Sequence, residues 1–103
     1  MNDPIPDPCD CSDMAQVRAG VDQVDRELMA LLARRFGYMD AAARIKPDRA
    51  AVRDEPRKAQ VISAAMADAR ERGLPETVIG QMWEVLVEGS IAYEFARWDE
   101  IDR

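Results

Sequence analysis

The sequence predicts an all-α fold, a three-helix chain with one long N-terminal helix that pairs with a second copy of itself. Three observations carry this. Apolar residues recur at spacings of three and four along three stretches. Six aromatics and only five glycines suit a helical chain better than a β-rich one. The first stretch is also too long to be covered by a globule of 103 residues.

That first stretch runs from Asp13 to Lys46. Val17, Val21, Val24, Leu28, Leu31, Arg35, Met39, Ala42 and Ile45 fall on one stripe. No proline interrupts it, and Ser12 or Asp13 can cap it, with Gln16 at the reciprocal position of a capping box. At about 1.5 Å per residue the helix is roughly 50 Å long. Pro47 disfavours helical geometry at Lys46 and ends it. Residues 1–12, with three prolines and no periodicity, are expected to be a flexible lead, leaving 13–103 as one domain.

Three cations make this helix a candidate site. Arg35 and Lys46 lie eleven residues apart and point within roughly 20° of each other. Arg18 points elsewhere and is about 25 Å of helix away from Arg35. If two copies pair antiparallel about the helix midpoint, Arg18 of the partner subunit arrives near residue 41, between Arg35 and Lys46. The pairing then yields two equal sites, each a cage of three cations from two subunits. The alternative is that Arg35 and Lys46 only extend from an apolar stripe to water.

Asp54 reads as the N-cap of a second helix, followed by Glu55, Pro56 and Arg57 in an acidic, proline-tolerant first turn. Val61, Ile62, Ala65, Met66 and Ala69 form its apolar face, and Gly73 stops it. Pro75 opens a third helix. Its inward stripe is Ile79, Met82, Trp83, Leu86, Val87, Ser90, Ile91, Glu94, Phe95 and Trp98. Ser90 and Glu94 are the polar members, four apart on one face, and a carboxylate there is unfavourable without compensation. Glu94 either reaches solvent at the stripe's edge or serves a ligand.

Composition narrows the function. A net charge of −6 opposes unspecific binding to nucleic acid or an anionic membrane, so any anionic ligand needs a local basic pocket. No apolar run approaches a membrane span and no signal peptide is evident, so a cytoplasmic protein is expected. The chain has no histidine. That removes the commonest general base and every Ser-His or Cys-His arrangement, and leaves Cys9 and Cys11 as reduced thiols with no metal site expected.

The motifs VRAGVDQVDRELMALLARR, AAARIK, AVRDEPRK and SIAYEFARW, in that order and spacing, resemble the small all-α chorismate mutases and the related isochorismate pyruvate lyases. The resemblance covers roughly residues 14–98 and implies an intertwined dimer of three-helix chains. It also implies a cofactor-free enzyme acting on a small dicarboxylate. By resemblance, Arg18 is the arginine that crosses from the other subunit and Arg35 holds the ring carboxylate. Lys46 then contacts the side-chain carboxylate and the ether oxygen, Asp54 and Arg57 line the hydroxyl side, Ser90 meets the ring carboxylate, and Glu94 faces the ether oxygen. Two departures keep isochorismate open as substrate. Lys58 follows Arg57 where the mutases often place a glutamate, and the loop from Lys46 to Arg57 is one residue shorter than in some of them.

The residue types match the chemistry. Rearrangement of chorismate to prephenate is unimolecular, so it needs no nucleophile, metal or proton relay. It gains from restraint of the folded substrate and from positive charge where the ether bond breaks. Arginine forks suit planar carboxylates, and lysine supplies a compact charge. Elimination of pyruvate from isochorismate, leaving salicylate, can use the same cage. A ligand-free helical dimerisation module would explain the stripes, but not the cations and polar groups that interrupt them. At the end of its helix Lys46 is expected to matter far more for turnover than for folding.

Overall fold

A computed structural model describes residues 4–103. All regular structure among them is helical: α1 (Met14–Ile45), α2 (Glu55–Glu71) and α3 (Glu76–Glu100), with 3-10 turns at Pro8–Asp10 and Arg49–Val52. The expected three-helix chain with a long first helix is what forms. The residues group into two compact units, one ending at Phe36 and the other running Gly37–Arg103.

In the first unit Asp13 starts α1 by accepting the Gln16 N–H at 2.8 Å. The reciprocal bond shifts by one residue: the Gln16 side chain accepts from the Ser12 N–H at 2.7 Å and from the Ser12 hydroxyl at 3.2 Å. Residues 1–3 of the proline-rich lead lie outside the described residues. The rest turns through Pro8–Asp10 and brings Ile5 against α1, so that a methyl group placed on Gly20 would sit 3.5 Å from Ile5 Cγ2. Cys9 and Cys11 are free thiols. The stripe of α1 stays open: Val21 is 53% exposed, Leu28 49% and Leu31 59%. Apolar side chains at helical spacing and half exposed form a face that this unit does not bury.

The second unit holds the core. Val52, Val87 and Ile91 are buried, with Val61, Ile62, Trp83, Phe95 and Trp98 packed around them. Asp48 caps the Arg49–Val52 turn through the Ala50 N–H, and this places Val52 inward. Asp54 caps α2 by accepting the Arg57 N–H at 3.0 Å. Gly73, at φ 72°, ends α2, and the Leu74 N–H reaches back to the Ala69 carbonyl at 2.8 Å. The chain then enters α3 after Pro75.

Two details depart from the expected stripes. Met82 is 52% exposed, whereas Gly80 is buried. A Cβ on Gly80 would fall 2.9 Å from Met66 Sδ, so the absent side chain is what lets α2 and α3 approach there. Near its C-terminal end α1 buries Ala43 rather than Ala42 most deeply. There α1 meets α3 through Asp40, which accepts from the Tyr93 hydroxyl at 2.8 Å and from Arg97 Nε at 2.9 Å.

Candidate active site

The polar pair at the heart of the second unit joins the end of α1 to the middle of α3. Pro47 stops α1 directly after Lys46, and this leaves the lysine stem at the helix terminus, free of the next turn. Its Nζ donates to Glu94 Oε2 at 2.7 Å. Glu94 is 4% exposed and the Lys46 side chain 30%, so the carboxylate is enclosed while the ammonium keeps a path to solvent. Of the two sequence readings of Glu94, the edge-of-stripe position reaching water does not hold. The carboxylate is buried, and Lys46 compensates it.

Ser90 lies one turn before Glu94 on the same face and is 3% exposed. Its hydroxyl donates to the Leu86 carbonyl at 2.7 Å, the local back-bond by which a helical serine satisfies itself in an apolar setting. The side chain must rotate before that proton can serve a ligand.

Asp54 and Arg57 sit at the start of α2. The Asp54 carboxylate is engaged as the cap, and Arg57 Nη1 donates to the Gln60 side chain at 2.6 Å. Arg57 is exposed and borders an open groove with Gln60, Val61, Asp68 and Trp83. The structure therefore gives these two residues local roles in α2, whereas Lys46 and Glu94 touch directly.

Arg18 and Arg35 belong to the first unit. Arg18 is exposed, while Arg35 is partly buried, and that burial pushes its guanidinium below the ordinary arginine value.

Lys58, the cation standing where a glutamate is common in the mutases, has a different occupation. It ties α2 to α3 through Glu84 at 2.7 Å and Glu88 at 2.9 Å. Arg53 reaches Glu88 as well, with Nη2 on Oε1 at 2.9 Å. The Arg53 hydrogen bond, followed by that of Lys58, holds the Glu88 carboxyl down to about 2. Sequence reasoning missed the Asp40, Tyr93 and Arg97 cluster beside Glu94. The spacing of Tyr93 and Arg97 by four was the available signal, but their partner is 53 residues away from Tyr93 in sequence.

The arrangement can present one ammonium, already hydrogen-bonded to a carboxylate, to an anionic ligand. Such a pair suits charge stabilisation and positioning. With these contacts in view, two likenesses stand out. A family model described as chorismate mutase type II matches residues 17–95. The isochorismate pyruvate lyase of Pseudomonas aeruginosa is 29% identical over 91 residues, covering 88% of this chain and 90% of that protein.

Proposed function

This chain belongs to the chorismate mutase type II family, and on that premise we propose that it rearranges chorismate to prephenate. The observation that carries the reading is the enclosed Lys46 and Glu94 pair at 2.7 Å. A dimerisation module has no use for an ion pair placed inside its core, where apolar residues of like volume often stabilise equally well or better. A site that must place positive charge beside a breaking C–O bond does.

In this mechanism the dianionic substrate is held in its folded conformation by Arg35, by Lys46 and by Arg18 of the partner subunit. The forked guanidinium groups suit its carboxylates. As the ether bond breaks and the new carbon–carbon bond forms, negative charge gathers on the ether oxygen. Lys46 turns from Glu94 toward that oxygen. As Lys46 leaves it on substrate binding, Glu94 takes up one proton from solvent, donates a hydrogen bond from it to the same atom, and returns it on product release, because an ionised carboxylate there would repel the developing charge. No proton is gained or lost over the turnover, and Ser90 and the start of α2 with Asp54 and Arg57 complete the enclosure. The half-exposed stripe of Val17, Val21, Val24, Leu28 and Leu31 supports the symmetric dimer that supplies Arg18, since pairing of two copies covers it.

A second reading, elimination of pyruvate from isochorismate, is favoured by the lyase relative and by Lys58 standing where the mutases often have a glutamate. The deciding experiment offers purified protein chorismate and isochorismate separately and follows prephenate and salicylate by absorbance. Prephenate from chorismate supports the proposal, and salicylate from isochorismate alone replaces it with the lyase. Turnover of neither leaves the helical dimerisation module.

A further inference from the structure

The last turn of α1 has a defect that its own helix cannot repair. The carbonyl of residue 43 would accept the N–H of residue 47, but residue 47 is proline and has none. Ala43 is completely buried, and a buried carbonyl left without a donor is strongly unfavourable. The missing donor comes from 60 residues away: Arg103 Nη2 donates to the Ala43 carbonyl. Its Nη1 donates to the Lys46 carbonyl at 3.1 Å. Trp98 Nε1 donates to that same Lys46 carbonyl, also at 3.1 Å. The Arg103 guanidinium lies over the Trp98 ring, 4.1 Å from its centroid, so the two donors brace each other.

Trp98 follows Glu94 by one helical turn. Lys46 is thus gripped at both ends by α3 and the segment after it, its ammonium by Glu94 and its carbonyl by Trp98 and Arg103. Arg103 lies beyond residues 17–95, which the family model matches, and beyond the SIAYEFARW motif that ends at Trp98.

We propose that Arg103, stacked on Trp98, is a positioning residue for Lys46: it replaces the N–H that Pro47 lacks and thereby fixes the end of α1 from which Lys46 projects. The proposal rests on the reading of Lys46 as the cation at the breaking bond. Without Arg103 the Ala43 carbonyl can be satisfied only if the last turn opens to water, and the lysine loses its aim.

The test is a double-mutant cycle in the full chain between Arg103→Ala and Pro47→Ala, with Arg103→Lys as the conservative variant. Misplacement of a reacting group by a fraction of an ångström lowers turnover on the order of tenfold. Arg103→Ala is therefore expected to lower kcat about tenfold with KM within a factor of two, and Arg103→Lys to restore part of it. Pro47→Ala returns a backbone N–H to the Ala43 carbonyl, so in that background Arg103→Ala should cost much less. Turnover of Arg103→Ala within a factor of two of wild type, or an equal loss in both backgrounds, overturns the proposal. Amide hydrogen exchange at residues 44–46 gives a readout independent of activity. It should speed up at least tenfold in Arg103→Ala and return toward wild type in the double variant. If wild-type protein turns over neither substrate, the functional reading fails and the exchange cycle alone judges the clamp. Should Arg103→Ala fail to fold, the double variant must fold, or the proposal is wrong.

Discussion

Replacing Lys46 by alanine does two separable things. It removes the charge assigned to the ether oxygen, and it leaves the enclosed Glu94 carboxylate without the ammonium that sits 2.7 Å away. Breaking a fully buried ion pair by deleting one partner costs about 3–5 kcal/mol, whereas a fully exposed pair contributes under about 1 kcal/mol. With the Glu94 side chain 5% exposed and that of Lys46 30%, the cost lies between, about 2 kcal/mol. For a chain of this size that corresponds to a fall in Tm of roughly 10 °C. The helix-end position alone suggested little effect on folding, and the partner changes that expectation. Turnover should fall on the order of 10²-fold, the usual consequence of deleting one preorganised donor at a developing charge. Circular dichroism melts at fixed protein concentration and initial rates with chorismate measure the two effects. The double variant Lys46→Ala with Glu94→Gln separates them. No buried charge remains, so Tm should recover by half or more while turnover stays low. An unchanged Tm in Lys46→Ala would show that the ion pair contributes nothing to folding. Recovery of turnover in the double variant would sink the catalytic role.

Three further outcomes are expected. Glu94→Gln, whose side-chain amide still donates toward the ether oxygen, should keep turnover within about tenfold of wild type while Glu94→Ala loses far more; equal losses in the two variants remove Glu94 as the donor. Mixing inactive Arg18→Ala chains with inactive Arg35→Ala chains, under conditions that exchange subunits, should restore up to one working site per heterodimer, and no restoration refutes the cross-subunit assignment. The Glu88 carboxyl is held at about 2 against an ordinary 4.5, so its contribution to stability is full above pH 4.5 and is lost as pH falls toward about 2. Wild-type Tm should therefore drop more steeply than that of Glu88→Gln across this acid window; parallel slopes would assign no stability to the Arg53 and Lys58 ties.

The sequence by itself determined what depends on neighbours within about one helical turn. Asp13 and Asp54 as caps and Gly73 as a stop act through bonds spanning three to five positions, and Pro47 ends α1 because it lacks the N–H for a bond four positions back. Helical periodicity needs nothing more distant either, and the inward placement of Val87, Ser90 and Ile91 was legible from it, whereas for Glu94 it left open the stripe's edge and a ligand role. Tertiary structure decided the pairings. Lys46 meets Glu94 across 48 residues, Tyr93 meets Asp40 across 53, and Arg103 reaches the Ala43 carbonyl across 60. Each depends on the angle at which the end of α1 crosses α3, and no local preference encodes that angle. The same crossing moved the deepest burial from Ala42 to Ala43. Close approach of α2 to α3 at Gly80, and the use of Lys58 as a tie between those helices, were settled in the same way. A long-range contact forms where packed surfaces happen to bring two side chains together, and the spacing of residues along one helix constrains only which face each of them can occupy.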